Sequence, residues 1–132
     1  MEQEWQEAAR AGDATTLTRL IAAGADVDSL DRHGQTALML AARNGHTEAV
    51  RALLDAGAAL DHTAKYHLSA LMLAVINDRH TIVELLVAAG ADARIRGTGA
   101  PGFAGKTALD LAEDLGRTDL VALLRGKLSP AR

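Results

Sequence analysis

Cysteine is absent from this chain of 132 residues, which excludes disulfides and thiolate metal ligands and fits a reducing compartment. Aromatic side chains are almost absent as well, with one each of Trp5, Tyr66 and Phe103. An interior without large rings has to be filled by Ala, Leu, Val and Ile, and such small side chains imply helices packed closely together. No charge of one sign prevails: 14 Lys and Arg against 17 Asp and Glu leave a formal net charge of -3. That value gives no reason to expect wholesale nucleic-acid or membrane binding, so any basic surface must be local. Apolar runs stop well short of the roughly 18 residues a membrane span requires. The polar, acidic stretch from Met1 to Glu7 lacks the basic and apolar regions of a secretory signal. The cytoplasm is the expected location, and 48% hydrophobic with 23% charged residues is the composition of one soluble folded domain.

What the chain does have is repetition. Thr36-Ala37-Leu38-Met39-Leu40-Ala41 recurs as Ser69-Ala70-Leu71-Met72-Leu73-Ala74, a period of 33 residues. The same offset carries Gly24 onto Gly57 and Gly90, Gly12 onto Gly45, and Leu17, Leu20 and Ile21 onto Val50, Leu53 and Leu54. Thr107-Ala108-Leu109-Asp110-Leu111-Ala112 opens a further copy at an offset of 38, which places five extra residues around Arg96 to Phe103. A fixed period of this length signals a solenoid. Within each unit, apolar residues recur at helical spacing in two short stretches. Thr36, Ser69 and Thr107 stand where a hydroxyl caps the first helix, and Gly24, Gly57 and Gly90 stand where a left-handed residue closes the second. The expected architecture is an all-α solenoid of four helix-turn-helix units joined by hairpin-like fingers: residues 1–30, 31–63, 64–96 and 97–132, the last with the insertion.

The stretch Gly34 to Ala58, G-x-T-A-L-M-L-A-A-x-x-G-H-x-x-x-V-x-x-L-L-x-x-G-A, resembles the ankyrin repeat, and the resemblance covers nearly the whole chain. It departs from the family in having Ala37 and Met39, Ala70 and Met72, and Ala108 and Asp110 where Pro and His are usual. The resemblance thus implies that the family's histidine bonding within and between repeats is missing and that stability leans on packing. Repeats this rich in Ala, Arg and Leu look similar to bacterial members. End units need polar outer faces, which Glu2, Glu4, Gln6 and Glu7 supply at one end and Glu113, Arg117 and Asp119 at the other. Trp5, shifted by one period, falls on Leu38 and is expected to fill a core position.

Signals for chemistry are thin. Ala100 to Thr107 fits a loose phosphate-loop pattern, but such a loop follows a buried strand and needs an acidic metal-binding partner, while Gly105 and Thr107 are already the repeat equivalents of Gly34 and Thr36. His33, His62 and His67 fall in neighbouring fingers, where a surface metal clip competes with the plainer reading of solvated loop histidines. No nucleophile and base occupy positions that the fold would bring together. The expectation is a chain that is not an enzyme and has no catalytic residues, metal or cofactor. The alternative is a nucleotide-linked or catalytic activity at Gly99 to Thr107.

In such arrays the finger tips and the inner face of the first helices make a concave groove. The register nominates finger residues Arg32, His33, Gln35, Lys65, Tyr66, Leu68, Phe103 and Lys106, and helix residues Arg43, Asn44, Ile76, Asn77, Asp114 and Leu115. Tyr66, Leu68, Ile76, Phe103 and Leu115 are apolar where solvent is expected, which suggests an interface, although Leu68, Ile76 and Leu115 equally suit packing between units. Arg10, Arg32, Arg43, Lys65, Arg94, Arg96 and Lys106 surround them as a basic lining. The expected function is protein binding, as an adaptor, inhibitor or immunity-like protector, by a monomer whose partner presents an acidic surface. Nucleic acid is disfavoured because few aromatics are available for stacking. Tyr66 and Phe103, with no evident core duty, are the expected anchors, flanked by Lys65 and Lys106, and the glycine-rich insertion is expected to adjust to a partner.

Overall fold

The computed structural model describes residues 2–128 as eight α-helices in four antiparallel pairs. They are α1 (Glu2–Ala11) with α2 (Ala14–Ala22), α3 (Ala37–Asn44) with α4 (Thr47–Asp55), α5 (Ala70–Ile76) with α6 (His80–Ala89), and α7 (Ala108–Asp114) with α8 (Thr118–Leu128). First helices pack side by side in one layer and second helices in another. Among the described residues, no helix is long and apolar enough to cross a membrane.

Each first helix starts as its sequence predicts. Thr36, Ser69 and Thr107 accept hydrogen bonds from the backbone N–H of Met39, Met72 and Asp110 at 3.2, 3.3 and 3.2 Å. Asp110 returns the favour by accepting from the Thr107 N–H at 3.0 Å, a reciprocal capping box. The helices approach closely because equivalent positions carry a small residue: Ala8, Ala41, Ala74 and Ala112 are all buried. Between the layers, Leu20, Leu53, Leu86 and Leu124 occupy another buried row. Trp5 lies at the place of Leu38 and Leu71 and is only 2% exposed. Among the described residues its indole N–H has no hydrogen-bond partner, so it is the ring's apolar area that holds it there.

Polar ladders accompany this packing. His46, Arg79 and Arg117, equivalent residues just ahead of α4, α6 and α8, each reach back to the carbonyl end of the preceding first helix. Their contacts are His46 Nε2 with the Arg10 carbonyl (2.8 Å), Arg79 Nε with that of Arg43 (3.3 Å) and Arg117 Nη2 with that of Ile76 (2.9 Å). A cation suits this place because the free carbonyls give a helix C-terminus partial negative charge. In the first pair the same position is Asp13, which caps its own helix by accepting from the Thr16 hydroxyl and amide. Those two bonds hold its carboxyl below the usual range. A second ladder joins the turns: Asp28 accepts from the Ala59 N–H and Asp61 from the Asp92 N–H, both at 2.8 Å. The histidines of the family's motif are absent at Met39, Met72 and Asp110, and others bond elsewhere: His46 across units and His62 to the Gly34 carbonyl of its own unit at 2.9 Å. The expected place of Arg117 is corrected: it is half-buried and turned towards α5 rather than on an outer face.

Two substitutions test what holds the stack. Trp5→Ala should cost about 3 to 5 kcal/mol in urea unfolding, and Trp5→Phe distinctly less, because the ring and not its N–H is needed. Ala41→Leu should cost at least about 1 to 3 kcal/mol by forcing α3 away from its neighbours. A stability within experimental error of wild type for Ala41→Leu would contradict close helix approach as the organising feature.

Candidate functional site

Fingers and first helices together form an open groove, in two stretches that share Gln35 and Arg43. The first, about 760 Å3, is lined by Glu2, Gln6, Arg10, Leu30, Asp31, Arg32, His33 and Leu40 besides the shared pair. The second, about 400 Å3, is lined by Met39, Ala64, Lys65, Tyr66, Leu68, Leu73, Ile76, Asn77 and Phe103. Of the residues nominated from the sequence, the structure brings Arg32, His33, Gln35, Arg43, Lys65, Tyr66, Leu68, Ile76, Asn77 and Phe103 together here. Asn44, Lys106, Asp114 and Leu115 do not line either stretch. Asn44 points its amide at the Arg10 carbonyl, and Leu115 stands 46% exposed beyond the end of α7.

The finger of the second unit is built on Asp31, whose carboxylate accepts from the His33 and Gln35 amides at 2.8 and 2.9 Å. Its turn closes at Gly34, with φ of 74°. The third unit has Ala64 and His67 at these two places, so neither the carboxylate nor the glycine is available. Tyr66 and His67 nevertheless both adopt left-handed backbone, at φ of 62° and 59°, a conformation costing roughly 1 to 2 kcal/mol per non-glycine residue. The insertion offsets this cost. His67 Nδ1 contacts the Arg96 carbonyl at 2.9 Å, and the Thr98 N–H donates to the Tyr66 carbonyl at 2.8 Å. Tyr66 then lies against Phe103, ring centroids 5.5 Å apart and planes tilted by 42°, with Lys65 Nζ 5.0 Å above the tyrosine ring.

Several expectations change in consequence. Tyr66 and Phe103 do have a structural duty, since both are half-buried and packed on the core. Leu68 is 6% exposed, so of its two expected places it takes the one packed in the core, with an edge that reaches the groove. The insertion is not a loose tether: Gly97 and Ala104 form a bridge, and the Gly97 amide donates to the Lys106 carbonyl while the Gly105 amide donates to that of Gly97. The Phe103 and Ala104 amides both donate to the Ala100 carbonyl and Lys106 to that of Phe103, so these N–H groups do not converge outward as a phosphate cradle requires.

Ion pairing sorts the cations. Arg19, Arg51, Arg94, Lys106, Arg117 and Arg125 pair with Glu4, Glu48, Asp92, Asp114, Asp78 and Glu113. Arg79 and Arg96 donate to backbone carbonyls. The basic lining therefore shrinks: Arg94, Arg96 and Lys106 are engaged, whereas Arg10, Arg32, Arg43 and Lys65 have no carboxylate partner among the described residues and all line the groove. Against these four cations the groove offers two carboxylates, Glu2 and Asp31, the second already bound to finger amides. Among the described residues no three His, Asp or Glu side chains are grouped to hold a metal, and the nitrogens of His62 and His67 meet separate carbonyls.

Comparison with known families finds one described as ankyrin repeats (3 copies) matching residues 5–97, up to the start of the insertion. Comparison with curated proteins finds no match.

The glycines of the insertion give a test of its anchoring. A Cβ on Gly99, where φ is 80°, would come within 2.9 Å of the Tyr66 ring, while one on Gly102 would meet nothing within 4 Å. Gly99→Ala should destabilise the chain by about 1 to 3 kcal/mol in urea unfolding, and Gly102→Ala by no more than about 0.5 kcal/mol. Equal effects at both sites would contradict a loop anchored on Tyr66.

Proposed function

Because the chain belongs to the ankyrin-repeat family, whose repeats mediate protein–protein interaction, we propose that it binds another protein in its concave groove and that the partner presents an acidic surface there. The observation that carries the reading is the set of four groove cations without carboxylate partners among the described residues, on a chain whose formal net charge is -3. Uncompensated cations on a net-acidic molecule make a local field that attracts carboxylates and speeds encounter. Tyr66, Phe103 and Ile76 add apolar area at one end of the same groove, the kind of surface on which binding energy concentrates. An adaptor, an inhibitor and an immunity-like protector would all use this surface in the same way.

The competing reading, a nucleotide at Gly99 to Thr107, is opposed by the inward-facing amides of that loop and by the pairing of Lys106 with Asp114. Calorimetry with ATP or GTP and magnesium should show no binding, and tight binding there would reverse the choice.

The direct test is capture of the partner by the immobilised chain, identification by mass spectrometry, and affinity measurement with variants. Arg43→Glu should weaken binding by about tenfold or more, and added salt should slow association. Tyr66→Ala and Phe103→Ala should each cost about 2 kcal/mol of binding in chains whose unfolding confirms that they remain folded. The control Glu48→Ala, on α4 away from the groove, should bind as wild type. If the groove variants all bind within about twofold of wild type, the groove is not the binding face.

A further inference from the structure

Resting on the groove reading, we propose that the groove takes an extended, bipartite segment: two carboxylates about three residues apart, and one apolar side chain about three residues further on. The argument comes from equivalent positions in successive units. At the C-terminal end of the first helices the side chains read Arg10, Arg43, Ile76 and Asp114. The finger residues facing these ends read Gln35, Leu68 and Lys106 in units two to four.

These rows divide the groove by chemistry. In unit two, Arg43 Nη1 has among the described residues only the neutral Gln35 Oε1 opposite, at 3.5 Å, and no carboxylate to compensate its charge. In unit three both positions are apolar, Leu68 and Ile76, and they line the 400 Å3 stretch with Tyr66 and Phe103. In unit four Lys106 and Asp114 neutralise each other, which ends the charged surface. Units one and two thus offer arginines for carboxylates, unit three offers an apolar recess, and unit four offers neither. Arginine suits this task because its planar fork matches a carboxylate.

Spacing follows from packing. Neighbouring helices lie about 8 to 10 Å apart, and an extended chain of the polyproline II kind advances about 3.1 Å per residue with three residues per turn, so that every third side chain faces the same way. One unit therefore corresponds to about three residues of an extended segment laid across the first helices. Because the carbonyls of Arg10, Arg43 and Ile76 are held by His46, Arg79 and Arg117, the row is fixed before a partner arrives. A peptide is favoured over single-stranded nucleic acid because Tyr66 and Phe103 lie against each other, half-buried, and Glu2 and Asp31 share the lining.

The test is selection from a displayed library of random peptides of about twelve residues, long enough to span three units, on the full chain. Enriched peptides should carry Asp or Glu at two positions three apart and Leu, Ile, Val, Met or Phe three further on, in either chain direction. As synthetic peptides they should lose about tenfold in affinity on Arg43→Glu and be unchanged on Glu48→Lys, both variants being checked by thermal unfolding. Peptides that depend on Arg43 but lack the spacing would overturn the bipartite segment and leave the groove reading intact. Peptides that bind Arg43→Glu and Arg10→Glu as well as wild type would overturn both. An absence of enrichment, or tighter binding of a single-stranded RNA of similar length at near-physiological salt, would also overturn the proposal.

Discussion

The carbonyl end of the first helix in units one to three, held by a side chain from the unit that follows, is the constraint on which both the stack and its surface depend. No helix pair buries its apolar face alone, and the buried row Ala8, Ala41, Ala74 and Ala112 lets neighbouring first helices approach closely. Close approach turns exposed helix ends into half-covered ones, where free carbonyls need partners. His46, Arg79 and Arg117 supply them. Each such bond is worth only about 1 kcal/mol net, but together they set the rotation of one unit on the next.

The same residues therefore serve two roles. The backbone of Arg10, Arg43 and Ile76 belongs to the inter-unit ladder, while the side chains of Arg10, Arg43 and Ile76 line the groove. Recognition positions attached to rigid, paired backbone lose little freedom on binding, which is what preorganisation means in energetic terms. The third finger shows the opposite balance. It lacks the aspartate and glycine that shape the second finger, and its two left-handed residues are held by contacts from the insertion. Five extra residues thus act less as a spacer than as a brace that brings Phe103 against Tyr66.

Much of this was legible in the sequence, and the remainder failed for identifiable reasons. The 33-residue period, the hydroxyl caps at Thr36, Ser69 and Thr107, and the place of the insertion are local signals that repeat, so periodicity alone exposes them. The ladder is different, because His46, Arg79 and Arg117 share a position but not a residue type, and their partners lie 36 to 41 residues away. Leu68 suits both solvent and packing between units by register alone, and only the folded chain shows it buried. Lys106 looked like a free cation because its partner Asp114, though only eight residues distant, belongs to a different element. The groove residues were found through register, whereas the pairing that separates the free cations from the engaged ones required the folded chain.

The central claim is that the graded concave groove is the recognition surface. Nuclear magnetic resonance shift mapping, with the isotope-labelled chain titrated by its bound partner segment, tests it most directly. The account predicts that the largest changes fall on Arg10, Arg43, Lys65 and Ile76 and on the rings of Tyr66 and Phe103, while α2, α4 and α6 stay unperturbed. Changes concentrated on α2, α4 and α6, with the groove silent, would contradict it.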